Sequence, residues 1–129
     1  MRLGEKRMNQ CKCKKRGISH FISSFGYSLS GLKTALTETA IRQELCLGVL
    51  HVFAVVFVPV SLVMKVILSA LWGAIIITEL INTAIESIVD LASPDYHELA
   101  KRAKDLGSAA VFCALVAYFS TWAVALVRI

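Results

Sequence analysis

Glu79, Asn82, Glu86 and Asp90 stand in a stretch that continues directly from an apolar run ending at Ile77. Spacings of three, four and four, at about 100° per residue, place them on one narrow stripe of a helix whose other faces stay apolar. Carboxylates and an amide at a membrane boundary are costly unless they face a protein interior, water, a metal or a ligand. The stripe therefore constrains fold and chemistry together: the helix crosses a bilayer, and its acids must look at something other than lipid. Simple solvation of a helix leaving the membrane is the competing account. It suits Asp90, expected in water, better than Glu79 at the end of the apolar run.

The rest of the chain supports a membrane setting. Of 129 residues 57% are hydrophobic and 18% charged, and the mean hydropathy is +0.67, a balance that leaves room for one membrane domain. The formal net charge of +5 comes mostly from residues ahead of the first apolar segment. Such an arm reports orientation and attraction to anionic headgroups, so nucleic acid is not the expected partner. The four cysteines form no framework. Cys11-Lys12-Cys13 lacks a second His or Cys pair nearby and reads as free cytosolic thiols, with palmitoylation as the alternative.

Residues 1–19, with Arg2, Lys6, Arg7, Lys12, Lys14, Lys15 and Arg16, are expected to form a basic flexible arm, and they make a poor signal peptide because no apolar core follows the charges. The membrane domain is expected over 20–129. Phe21, Ile22, Phe25, Leu29, Leu32 and Leu36 recur at helical spacing and predict an amphipathic surface helix at about 20–36. Transmembrane helices are expected at about 42–59, 62–91 and 107–127, the first ending near Pro59 with an outer turn over 59–61. Ser93 and Pro94 are expected to supply the N-cap and first residue of a short separate amphipathic helix over 95–106, with Asp95 in its first turn. His51 reads as a helix-packing histidine, with a proton-handling role as the alternative.

Twelve basic residues fall on the side of the N-terminus and the Ser93 loop, and two, Lys65 and Arg128, on the other. Positive loops stay inside, so the N-terminus is expected in the cytoplasm and the C-terminus outside. All the acids then lie at or below the cytoplasmic interface. Carboxylates at helical spacing, joined by a third from a neighbouring element, suit a hard divalent cation such as Mg²⁺, which keeps waters and substrate phosphates in its shell. A carboxylate beside apolar surface also suits a general base. Lys104 and Ser108, one turn apart, can both look toward the stripe, although anchoring by positive loops explains Lys101 and Arg102 equally well. No G-x-x-x-x-G-K-[ST] loop and no protein-kinase motif set is present. The residues alone point to metal and phosphate chemistry at the cytoplasmic face, and they do not show ATP.

The segment Glu79-Leu80-Ile81-Asn82-Thr83-Ala84-Ile85-Glu86, continuing to Asp90, with Tyr96-His97-Glu98-Leu99 and Ala103-Lys104-Asp105-Leu106-Gly107-Ser108, resembles the small integral-membrane diacylglycerol kinases of bacteria. Gly26-Tyr27-Ser28, Gly31-Leu32 and Arg42-Gln43-Glu44 extend the similarity, the last resembling the branch that uses diacylglycerol more than the one that uses undecaprenol. The resemblance implies an all-α homotrimer of the bacterial inner membrane that moves the ATP γ-phosphoryl group to the primary hydroxyl of diacylglycerol, with Mg²⁺ as cofactor. By position it implies Glu79 as general base, Glu38 and Glu86 as metal ligands and Asn82 as their support. ATP would meet His20, Tyr27, Glu38, Glu86, Asp95, Tyr96, His97, Lys104 and Asp105, and the lipid substrate would meet Ser28, Arg42, Gln43, Glu44, Glu79 and Ser108. The chain departs from the family at His20, where an arginine is usual, in a link between Tyr27 and Glu38 one residue shorter, and in its basic arm. An undecaprenol kinase is the nearest alternative; a small proton-coupled transporter and a non-catalytic scaffold are alternatives of other classes.

Overall fold

A computed structural model describes residues 18–127, with side chains from Phe21 onward. Among these residues all regular structure is helical: α1 Ile18–Ala35, α2 Thr39–Phe57, α3 Leu62–Ala92 and α4 Glu98–Val127. The basic arm up to residue 17, with Cys11 and Cys13, and Arg128 at the other end lie outside the described residues. Helix α1 up to Thr34 belongs to one compact unit, and Ala35 with the remaining helices belongs to a second.

Within α1 the apolar face expected from the spacing is open, Phe21, Phe25 and Leu32 all being exposed. Its hydroxyls fold back on their own helix, Ser28 Oγ donating to Ser24 O and Thr34 Oγ1 to Ser30 O, both at 3.1 Å. A helix with one apolar side and self-satisfied hydroxyls is built to lie in an interface.

Helices α2, α3 and α4 are each long and apolar enough to cross a membrane. They are distributed inside out relative to a soluble bundle. Large apolar side chains such as Phe57, Leu62 and Leu91 are exposed, whereas Glu79, Asn82 and His51 are 7–8% exposed. Lipid is as good a solvent for leucine as a protein core is, so most large apolar side chains can stay outside while polar ones that hydrocarbon would penalise turn in. The packed centre is Leu68, Ile75 and Tyr118, flanked by Val55, Met64, Leu71, Trp72, Ala114, Leu115 and Trp122, and α3 packs chiefly on α4 and along α2.

His51 of α2 joins this centre. Its Nδ1 lies 2.8 Å from Tyr118 Oη of α4, and its ring stacks on Trp72 of α3 at 5.2 Å between centroids. Gly48, one turn below His51, makes room for that indole: a Cβ there would meet Trp72 Nε1 at 3.2 Å. One histidine thus ties three helices, as expected for a packing residue.

The turn between α2 and α3 forms as Pro59 dictates. Helix α2 stops at Phe57, Val60 N–H bonds Val58 O across the proline, and Ser61 caps α3 by accepting from Met64 N–H at 3.3 Å. Lys65 Nζ donates to Val56 O at 3.3 Å, placing a cation on the last carbonyls of α2.

The turn between α3 and α4 differs from the expectation in three ways. Pro94 does not open a helix, and Asp95 is not in a first turn. Ser93 instead ends α3, its Oγ donating to Asp95 O, and α4 begins at Glu98. His97 is the cap: its Nδ1 accepts Leu99 N–H at 3.2 Å and its carbonyl accepts Lys101 N–H at 3.0 Å. Nor does a separate helix end at Leu106, because α4 passes through Gly107 unbroken to Val127. A single glycine costs a helix about 1 kcal/mol relative to alanine, too little to break one held by tertiary packing.

Candidate functional site

The pitch of α3 sets the depth of the acids. Glu79 is seventeen residues past Leu62, and at 1.5 Å per residue that is roughly 26 Å, near the far side of a hydrocarbon core about 30 Å thick. Glu79 and Asn82 are buried and Glu86 half-buried, one above another down the same face. Asn82 Nδ2 donates to Glu86 Oε1 at 3.2 Å.

Glu44 of α2 completes the group. It is half-buried and close enough to Glu79 for the two carboxylates to repel, as do Glu79 and Glu86. Its Oε2 and Asn82 Oδ1 are buried without a hydrogen-bond partner. Crowded carboxylates and orphaned oxygens in one place form an arrangement that a cation or a proton-bearing substrate group would relieve.

Glu38 is the N-cap residue of α2, in extended backbone, and its side chain makes no capping bond. Its carboxylate is exposed rather than spent on the helix end. Among the described residues no group of three or more His, Cys, Asp or Glu side chains is placed to hold a metal ion. Mg²⁺ does not require one. It is typically held by one or two carboxylates together with substrate phosphates and water, and the hard oxygens of Glu38, Glu86, Glu44 and Asn82 are of the right chemical kind.

Beyond the acids, the turn between α3 and α4 encloses a cleft of ≈ 370 Å³ lined by Asp90, Asp95, Tyr96, His97, Lys104 and Asp105, among others. Five residues assigned to the nucleotide by resemblance, Asp95, Tyr96, His97, Lys104 and Asp105, thus share one cavity. Lys104 Nζ donates to Asp90 Oδ1 at 2.9 Å, bridging α3 and α4, and Lys101 pairs with Asp105. Both ammonium groups lie ahead of the apolar stretch of α4, and each is held above the ordinary lysine value by the hydrogen-bonded carboxylate.

A second hollow, on α2 itself, is lined by Thr39, Arg42, Gln43, Cys46 and Leu47. Arg42 and Gln43 therefore face outward, whereas their neighbour Glu44, assigned with them to the lipid substrate, turns in toward Glu79. Ser108 is exposed on α4, one turn from Lys104. Tyr27 and Ser28 lie in the separate unit of α1, where Tyr27 is 74% exposed. His20 falls in α1, and its side chain lies outside the described residues. Two features escaped the sequence pattern, the convergence of Glu44 on Glu79 and the packing of Asn82 on α4, because both depend on interhelical register.

A three-span helical membrane protein with acids buried at one end of its helices and a mixed-charge cleft beside them defines the class. Residues 26–126 match the family model described as prokaryotic diacylglycerol kinase. The diacylglycerol kinase of Escherichia coli K12 is 39% identical over 85% of this chain and 91% of its own length. That of a Sinorhizobium species is 40% identical over 81% and 76%, and that of Pseudomonas aeruginosa 39% over 83% and 88%. The chain belongs to the prokaryotic diacylglycerol kinase family.

Proposed function

We propose that this chain is the lipid kinase that moves the γ-phosphoryl group of ATP to the primary hydroxyl of diacylglycerol at the cytoplasmic face of the inner membrane, giving phosphatidate and ADP. Three buried or half-buried carboxylates, Glu44, Glu79 and Glu86, gathered where the bilayer meets a charged cleft, carry this reading. Family membership supplies the substrates.

Glu79 acts as general base. It takes the hydroxyl proton as the glycerol oxygen bonds to the γ-phosphorus and the bond to the β,γ-bridging oxygen breaks, its electrons leaving with ADP. Glu79 is buried where the hydroxyl of a lipid substrate held in the bilayer would arrive, so base and alcohol can meet away from bulk water. Glu38 and Glu86 would hold Mg²⁺, which when bound neutralises charge on the triphosphate. Asn82 fixes the Glu86 carboxylate. Lys104 would exchange Asp90 for a phosphate oxygen, and Asp95, Tyr96, His97 and Asp105 would contact the rest of the nucleotide, joined by His20 and Tyr27 from α1. Arg42, Gln43, Glu44, Ser28 and Ser108 would meet the glycerol end of the lipid. The chain works as a homotrimer, with its N-terminus in the cytoplasm and its C-terminus in the periplasm.

Glu79→Gln keeps size and hydrogen bonding but cannot take the proton. Turnover should fall by about 10²- to 10⁴-fold with the protein still assembled in detergent. Near-normal phosphorylation by that variant would remove Glu79 as base. Diacylglycerol and undecaprenol offered side by side to the wild-type protein test the lipid assignment, and preference for undecaprenol would overturn it.

A further inference from the structure

Gly107 is buried on α4, and its empty side faces Asn82. A Cβ at position 107 would overlap Asn82 Oδ1 but would stand 3.7 Å from Asn82 Cα, an ordinary contact, so what excludes a methyl here is the Asn82 side chain and not the backbone of α3. Asn82 is 7% exposed, so its amide is held among protein atoms rather than solvent. Its two amide ends have different neighbours: Nδ2 donates to Glu86 Oε1 at 3.2 Å, while Oδ1 has no hydrogen-bond partner and points at the α-carbon of Gly107.

From this packing we infer that Gly107 is a positioning residue for the metal-side carboxylate, acting through Asn82. The hydrogen standing where Cβ would be gives Oδ1 a weak C–H···O contact of the kind found where helices cross closely. The glycine thereby holds the amide with its NH₂ toward Glu86, and the amide holds Glu86 in one rotamer. The reverse orientation would set two oxygens against each other. Any side chain at 107 would drive Oδ1 aside and rotate Nδ2 off the carboxylate. Helix propensity gives no reason for a glycine here, since alanine is the better helix former. The close approach to Asn82 does.

The inference rests on Glu86 holding Mg²⁺, and the experiment separates the two claims. The Mg²⁺ concentration giving half-maximal phosphorylation of diacylglycerol is measured for wild type, Gly107→Ala, Asn82→Ser, Asn82→Ser with Gly107→Ala, and Glu86→Gln, each in micelles, alongside thermal stability. Gly107→Ala should raise that concentration roughly tenfold or more, the scale on which loss of a group orienting a metal ligand is felt. Serine at 82 is short enough to leave room for the new methyl. In its background Gly107→Ala should therefore fold and cause no further change in Mg²⁺ dependence.

An unchanged Mg²⁺ requirement in Gly107→Ala would overturn the role of Gly107. So would the same fold-change in the Asn82→Ser background, or failure of that double variant to fold, because the methyl would then be acting through helix packing at large. An unchanged Mg²⁺ requirement in Glu86→Gln would instead contradict the metal assignment itself, whatever Gly107 does.

Discussion

At the scale of single residues the buried polar side chains sort into two kinds. His51 is satisfied: Tyr118 completes its hydrogen bonding and Trp72 covers its face. Glu44 and Asn82 each keep an oxygen without a partner. The first kind is structural and the second is where substrate chemistry is expected. His51→Leu should remove one of two hydrogen-bond partners of the Tyr118 hydroxyl, leaving Trp122, and destabilise the protein by about 0.5–1.5 kcal/mol, the net worth of one hydrogen bond. Adding Tyr118→Phe should recover part of that loss, as read by thermal unfolding in detergent. A double variant as unstable as the sum of the singles would show that the pair is not coupled. The stripe of Glu79, Asn82 and Glu86 was legible because helical periodicity is local. What those residues face was not, since neither Glu44 nor Gly107 lies near them in sequence.

At the scale of elements, α1, α2 and α3 were legible from apolar periodicity and run length and Pro59 marked the turn between α2 and α3, whereas the single helix α4 was expected as two. Ends governed by less obvious chemistry were missed. Ser93-Pro94 has the form of a helix start, yet His97 supplies both the side-chain and the carbonyl cap, and Gly107 bends nothing because Asn82 is packed against it. The turn between α2 and α3 offers a separate test. Lys65 reaches back to Val56 O, so Lys65→Met should lower stability by about 0.3–1 kcal/mol, the worth of one cation at a helix C-terminus. Phosphoryl transfer should be unchanged, because the site lies at the opposite ends of the helices. A loss of turnover without a loss of stability would place Lys65 in the chemistry instead.

On the scale of the whole molecule, most of the lipid-sized side chains of α2, α3 and α4 are exposed, and each crossing is 11–17% buried over its most apolar window. Surface of this kind is at rest against lipid or against further copies of the chain. We expect native mass spectrometry from detergent to give the trimer as the active species; full specific activity in a preparation shown to be monomeric would contradict that assembly. Chelation of Mg²⁺ should stop phosphoryl transfer and leave the helices intact by circular dichroism. Melting of the fold on chelation would make the ion structural.

The central claim is that the acids converging from α2 and α3 serve a kinase acting on a lipid alcohol. Incubating the purified protein with ATP labelled at the γ-phosphate, Mg²⁺ and diacylglycerol in mixed micelles tests it most directly. The account predicts label in phosphatidate for wild type and almost none for Glu79→Gln. Label released only as inorganic phosphate, or no dependence on the lipid, would contradict it.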